Sequence, residues 1–251
     1  KVFPKINIKL PNFYSYNFIK GKTLYEEITL DIFKEFLNWL KRNLWIKKKS
    51  TYKFIKGCKL FYKDKTFYRV ELFYKKYPNY DIKKINDQPV SDIYTLLNKL
   101  NWEEVVRGLP YFIHGDLQFD NVIRISKNNF KLIDWRQDFS GLLNVGDIYY
   151  DLAKMYGGIL LNYDLIKKNK FKYLENNNKC QYSYYTRKEN NLLIKIYDNF
   201  LIRNNFNINR VNLIVSLIYL NMAPLHNFPF DKMLFAHGRK LLNNYLSLIT
   251  K

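Results

Sequence analysis

The chain has 251 residues, with 42 Lys and Arg against 22 Asp and Glu, a formal net charge of +20, and 47% apolar and 18% aromatic content. That apolar mass excludes a disordered chain and suits one large domain or two small ones. Cys58 and Cys180 lie far apart without metal or redox spacing, which excludes a disulfide scaffold and fits a reducing, cytoplasmic setting.

No run reads as a membrane span. The chain starts at Lys1 rather than Met and shows no signal peptide, so it reads as a piece with residues missing upstream. Lys, Asn, Ile, Phe and Tyr are abundant together, and their codons are A/T-rich. The lysines are scattered, so the charge reads as a solvated basic surface before it reads as a nucleic-acid or membrane footprint.

In chain order, residues 13–19 are aromatic and β-prone and end at Lys20-Gly21-Lys22, which predicts a strand. Thr23, with Glu26 three residues later, has the form of a capping box. Leu24, Ile28, Ile32, Phe36, Leu40 and Leu44 recur at helical spacing, predicting one long helix over about 23–44. Residues 45–63 carry no clear period. A helix is expected from Thr66 to the stop at Pro78, and another from Pro89 and Ser91 toward Gly108. Residues 111–113 are a short apolar run ending in His114-Gly115-Asp116. Residues 121–125 and 130–133 read as a β-hairpin around Lys127-Asn128-Asn129. Further helices are expected over 147–160, 187–204, 208–223 and 230–249.

The informative stretch is His114-Gly115-Asp116-Leu117-Gln118-Phe119-Asp120-Asn121. Asp, four residues, then Asn is the spacing of the protein-kinase catalytic loop. Asp134 follows Asn121 by thirteen residues, at the end of the next strand. Phosphoryl transfer demands a positioned nucleophile and neutralised phosphates rather than covalent help. A loop carboxylate at Asp116 can approach a hydroxyl and accept its proton. Asn121 and Asp134 offer hard oxygens suited to Mg²⁺. The hairpin between them folds the chain back, so its two ends are expected side by side.

His-Gly-Asp at 114–116 and Ile-Asp-Trp at 133–135 resemble the aminoglycoside phosphotransferase and choline kinase family. Gly146-Asp147, with Asp151-Leu152-Ala153 after it, is similar to that family's segment following the metal-binding Asp. The resemblance is tight over 110–160 and looser back to residue 13. Residues 134–139 also resemble kinase-type domains linked to bacterial surface-polysaccharide or sugar-nucleotide genes. The resemblance implies an α+β, protein-kinase-like fold: a mostly helical large lobe with a catalytic β-hairpin. It implies ATP and Mg²⁺ as cofactors. By it, Asp116 would be the catalytic base and Asn121 and Asp134 would hold Mg²⁺. Tyr16, Asn17, Phe18 and Ile19 would border the adenine. His114 would brace the loop, and Asp147 would hydrogen-bond the loop backbone.

One part of that family's pattern is missing. Its small lobe carries a phosphate-covering loop and a Lys paired to a Glu. Here no Gly-rich loop precedes Gly21, and Lys1, Lys5 and Lys9 lack a strand context. Residues 1–22 therefore read as a remnant of a small lobe and hinge, and 23–251 as the large lobe. The rest of the small lobe would be truncated, supplied upstream or by a companion chain, or absent. Gly21-Lys22-Thr23 is not a P-loop, because Tyr16 stands where its first Gly is needed. Asp120 reads as a solvated loop acid, Asp138 as a solvated turn acid or, second, as one that reaches the substrate cleft, and Arg136 either as a surface ion pair or as a group that neutralises phosphate. His226 and His237 lack an acid or Cys at ligand spacing, so no zinc site is expected.

The expected reaction moves the γ-phosphate of ATP to a hydroxyl of a small molecule seated against the helices after residue 150. A sugar or polyol is the first choice of acceptor, an amino alcohol or aminoglycoside the second. The basic carboxyl-terminal hundred residues disfavour a polycation. The rival readings are an inactive kinase-like scaffold and, from charge alone, a nucleic-acid-binding protein. Neither membrane nor nucleic acid is an expected partner.

Overall fold

The computed structural model describes residues 2–249; Lys1 and residues 250 and 251, which the expected lobe boundaries include, lie outside them. Strands β1 (Ile6–Lys9) and β2 (Tyr14–Tyr16) form an antiparallel hairpin. The strand expected over 13–19 therefore stops at Tyr16, and residues 17–20 have no regular structure. Strand β3 (Lys22–Thr23) leads into α1 (Leu24–Glu27). The Thr23 N–H and hydroxyl both donate to Glu26 Oε2, at 2.7 and 2.9 Å. The helix expected over 23–44 is two helices. Ile28 is extended, and the Thr29 hydroxyl accepts from Ile32 N–H at 3.2 Å, capping α2 (Leu30–Asn43) anew. A Thr that can cap competes locally with helix continuation, and apolar periodicity does not register that competition.

Helices α3 (Tyr52–Lys59) and α4 (Lys65–Lys76) are joined end to end by a π-helical turn, Leu60–Asp64. The wider turn shifts the apolar stripe out of its 3.6-residue register between the two helices, and residues 45–51 before them form no helix. Strands β4 (Lys84–Ile85) and β5 (Gln88–Pro89) follow. Asp92 caps α5 (Ile93–Asn98), and Asn101 caps α6 (Trp102–Val105), dividing the helix expected up to Gly108.

After β6 (Pro110–Tyr111) comes the expected hairpin, β7 (Val122–Ser126) and β8 (Asn129–Leu132), with β3 on the free edge of β7. Strand β9 (Gly146–Asp147) pairs with β6 and runs into α7 (Ile148–Leu160). Helix α8 (Tyr163–Lys167) precedes a hairpin that the sequence reading did not contain, β10 (Phe171–Asn176) and β11 (Lys179–Tyr184). Strand β11 pairs with β4, giving the sheet order β10-β11-β4-β5. Helices α9 (Asn190–Arg203), α10 (Ile208–Met222) and α11 (Phe230–Ile249) fall within their expected ranges.

The α+β class expected from the sequence is what the structure has. Helix α7 is the axis of the core, buried on every face from Ile148 to Ile159, as a helix apolar all round must be. It packs on α10, which packs in turn on α11 and α4. Phe73 of α4 and Phe235 of α11 stack at 3.7 Å between ring centroids. One segment, Ile208–Leu225, is long and apolar enough to cross a membrane by length and composition, contrary to the reading above. In the fold it is mostly a core helix: its residues from Leu213 to Leu220 are buried. Cys58 and Cys180 are buried free thiols.

Candidate active site

The pairing of β6 with β9 sets residues 112–116 against the start of α7. Asp151, in the first turn of that helix, accepts from the backbone N–H of His114 at 2.8 Å and of Gly115 at 2.7 Å, and from Trp45 Nε1 at 3.1 Å. Burial pushes its carboxyl up to about 6 against the pull of those donors. The loop-bracing role expected of Asp147 therefore belongs to Asp151. Asp147 caps α7 and accepts from Leu109 N–H at 2.9 Å and the Tyr62 hydroxyl at 2.9 Å, one strand upstream of the loop. Gly115 has φ +80°, and a Cβ there would come within 2.6 Å of Arg136 Cβ, so the position needs glycine twice over.

His114 is buried and ties the loop to the hairpin. Its Nδ1 accepts from Asp116 N–H at 3.2 Å, which leaves the proton on Nε2 to be donated to the Ile133 carbonyl at 2.9 Å. Burial pulls the imidazole down to about 4, so it stays neutral near pH 7. The hairpin ends meet as expected: Ile133 N–H donates to the Asn121 carbonyl at 3.0 Å. Asn121 Nδ2 donates to the Asp116 carbonyl at 2.9 Å and faces Asp116 Oδ2 at 3.4 Å. Asp134 sits at φ +54°, left-handed for a residue with a Cβ, and is exposed. Such backbone conformations concentrate where a side chain must be aimed.

Asp116 and Asp134 line the same open cleft, of about 1110 Å³. Among the described residues nothing donates a hydrogen bond to the Asp134 carboxylate. The amide nitrogen of Asn121 is committed to Asp116, so its side-chain oxygen is the uncommitted atom. A carboxylate and an amide oxygen are hard ligands of the kind Mg²⁺ takes, though Asn121 is buried and does not line the cleft, and among the described residues no group of three or more His, Cys, Asp or Glu is placed to hold a metal ion. On its other side Asp116 borders a cavity of about 300 Å³ between the α3–α4 junction, α7 and α10. There Lys154 Nζ lies 2.6 Å from Asp116 Oδ1. Burial raises the Asp116 carboxyl, but Lys154, helped by Gln118 and Arg136, outweighs it and holds the group below the usual carboxylate range.

The adenine residues expected from the sequence stand elsewhere. Asn17 and Phe18 are exposed, Phe18 by 92%, and residues 16–19 are not among the cleft's lining. The β1–β2 hairpin forms the cleft wall instead, with Tyr14 against Trp135 at 5.8 Å and Phe3 beneath it at 4.8 Å. A strand shorter than its aromatic run leaves the end of that run in solvent. Lys9, set aside for want of a strand, ends β1 and lines the cleft with Asp134. Among the described residues Arg136 makes no ion pair. Its guanidinium donates to the Gly115 carbonyl at 3.0 Å and the Tyr150 hydroxyl at 3.2 Å. Asp120 pairs with Lys167 at 3.1 Å, and Asp138 accepts from Gly141 N–H within its own turn.

Lys154 was missed by sequence reasoning, and Asp151 was read only as part of a motif, without a role. A lysine and an aspartate inside an otherwise apolar helix are the signal that marks both, since charges are rarely buried without a partner. Lys65 and Arg69, one helical turn apart on α4, also face Asp116 across both cavities, and no motif contains them.

No family model matches the sequence, and no curated protein matches it. Solved structures similar to the chain include an ethanolamine kinase of Plasmodium vivax, at 13% identity and a TM-score of 0.47. That match covers 96% of this chain, which spans 66% of the length of the other. A choline kinase of Cryptosporidium parvum is similar at 14% identity and a TM-score of 0.40, over 99% of this chain and 73% of that one.

Proposed function

We propose that the chain is a phosphotransferase that moves the γ-phosphate of ATP to a hydroxyl of a small molecule. The observation that carries this reading is the placement of Asp116. Its carboxylate stands between an open cleft shared with Asp134 and a cavity of small-molecule size. The nucleotide belongs in the open cleft and the acceptor in the smaller cavity. Asn121 and Asp134 would hold Mg²⁺, which when bound neutralises phosphate charge.

Asp116 orients the acceptor hydroxyl toward the γ-phosphorus. Its lowered pKa makes it a poor base toward a free alcohol. In a loose transition state that is no handicap, because the proton leaves late, as the new P–O bond forms and the bond to the ADP oxygen breaks. The proton passes to Asp116, and ADP departs with the electron pair of the broken bond. Lys154 keeps Asp116 ionised and pointed at the cavity; it is a positioning residue. Ethanolamine and choline stand in the names of the two similar structures. The sequence reading favours a sugar or polyol.

The test is ATP consumption in the presence of Mg²⁺ and a panel of hydroxyl compounds, with Asp116→Asn as control. Turnover in the wild type that disappears in the variant supports the reading. Turnover that survives the substitution removes Asp116 from the role.

A further inference from the structure

The acceptor cavity carries an unusual charge. Lys65, Arg69, Arg136 and Lys154 line it, against one carboxylate, Asp116. Lys154 is spent on Asp116. Among the described residues, Lys65, Arg69 and Arg136 have no carboxylate at ion-pairing distance, and Arg69 Nε is buried without a hydrogen-bond partner. Three guanidinium and ammonium groups thus converge on a cavity whose one lining carboxylate, Asp116, is already paired with Lys154. Burial first, then Arg136, Arg69 and Lys154, pull the Lys65 ammonium down to about 7. The protein holds this cluster in place by design of its backbone. The π turn sets Phe61 and Lys65 against the catalytic loop, with the Lys65 ammonium 4.3 Å from the centre of the Phe61 ring. Phe61 packs on Phe139 at 4.1 Å and Tyr150 at 4.7 Å, and Arg136 lies 5.4 Å over both Phe61 and Tyr150.

Much of the remaining lining is apolar: Ile214, Leu217, Ile218 and Met222 of α10 border the same cavity, with Asn221 among them. This divides the site: a carbon skeleton lies on α10, a hydroxyl reaches Asp116, and an anionic group meets α4 and Arg136. A cationic amino alcohol would find no acid to receive it except the catalytic one, which is already paired.

We propose that the acceptor is an anionic hydroxyl compound, carrying a phosphate or carboxylate that Lys65, Arg69 and Arg136 bind. Arginine forks and lysine ammoniums are the side chains suited to those groups. The proposal rests on the phosphotransferase reading for the word acceptor, while the anion site itself is tested without catalysis.

One competing source of anion exists. The same three cations also line the open cleft, so the triphosphate of the nucleotide could be what they receive. The experiment separates the two. Binding is measured by calorimetry for phosphorylated and carboxylated three- to six-carbon polyols, their neutral parents, and choline and ethanolamine. Each titration is run with and without a saturating non-hydrolysable ATP analogue and Mg²⁺. At least one anionic compound should bind ten-fold or more tightly than its neutral parent, with the analogue present. Lys65→Gln and Arg69→Gln should abolish that preference, and Lys65→Arg should keep it, which separates lost charge from lost fold. Displacement of the anion by the analogue assigns the cations to the nucleotide and overturns the proposal. So does a preference for choline or ethanolamine, or a panel in which no anion binds in a Lys65- or Arg69-dependent way. A chain that takes the anion but not the ATP analogue keeps the anion site and sinks the phosphotransferase reading; the reverse result sinks the anion site alone.

Discussion

Lys154 Nζ and Asp116 Oδ1 are 2.6 Å apart, on side chains that are 6% and 30% exposed. The catalytic candidate and the buried lysine are thus bound to each other's fate. Burying a charge in a core helix is costly without a partner, and Lys154 holds the Asp116 carboxyl below the usual carboxylate range in a half-closed site.

Asp116→Asn should therefore do two things. Loss of the proton acceptor should lower the transfer rate by about 10²- to 10⁴-fold. Leaving Lys154 without its carboxylate should also lower unfolding free energy by about 2 kcal/mol, at the low side of a buried pair because Asp116 is partly exposed. Adding Lys154→Met should recover most of the stability and none of the transfer. Urea unfolding of the single and double variants measures the coupling; additive effects would show that the pair has no energetic weight.

Lys154→Met alone should shift the acidic limb of the rate profile. The Asp116 carboxyl is lowered in the wild type, so its ionised form persists into acid. Without Lys154 the carboxyl rises, and activity should fall off at higher pH than in the wild type. An unmoved limb would mean that Lys154 does not set the state of Asp116.

The candidate site was far more legible than its support. The Asp116, Asn121 and Asp134 spacing could be read because a loop and a hairpin hold them close in sequence, so local geometry sets Asn121 against Asp116 and the hairpin end before Asp134 against Asn121. Asp151 and Lys154 lie 35 and 38 positions beyond Asp116 in sequence, and only the β6–β9 pairing turns that distance into contact. The Gly-Asp and Asp-Leu-Ala motif was visible, but sequence could not say which of its acids would face the loop. Lys65 and Arg69 lie one turn apart on a helix that sequence expected from Thr66, but nothing in a helical period says that its basic face would turn to a loop about 50 residues further on. The break at Thr29 and the β10–β11 hairpin were lost for the opposite reason: a local cap and a pairing with distant β4 overrode patterns that were present or absent nearby.

His114 makes the fold acid-sensitive with a defined sign. Its folded pKa, about 4, lies below the ordinary 6.5. The stability it contributes is complete above 6.5 and drains away as pH falls toward 4. Between pH 7 and 5 the wild type should lose about 2 kcal/mol more than His114→Gln. The buried Asp151, raised to about 6, acts in the opposite direction in both proteins and cancels in the comparison. Denaturant midpoints at the two pH values check this; parallel losses would show that His114 is not held neutral.

Gly115→Ala should cost about 1–3 kcal/mol, from a left-handed backbone and a Cβ driven toward Arg136. Because Arg136 is tied to the Gly115 carbonyl, the variant should also raise the KM for the acceptor. Wild-type stability and KM would contradict the tight fit described here.

The central claim is that Asp116 and Asp134 work on one Mg²⁺–nucleotide complex in one cleft. The most direct measurement is the thermal midpoint of the wild type and Asp134→Ala with ATP, in the presence and absence of Mg²⁺. The account predicts a rise in midpoint that requires the metal and is largely lost in Asp134→Ala. A rise of equal size without Mg²⁺ or without the Asp134 carboxylate would contradict it, as would a wild type whose midpoint does not move.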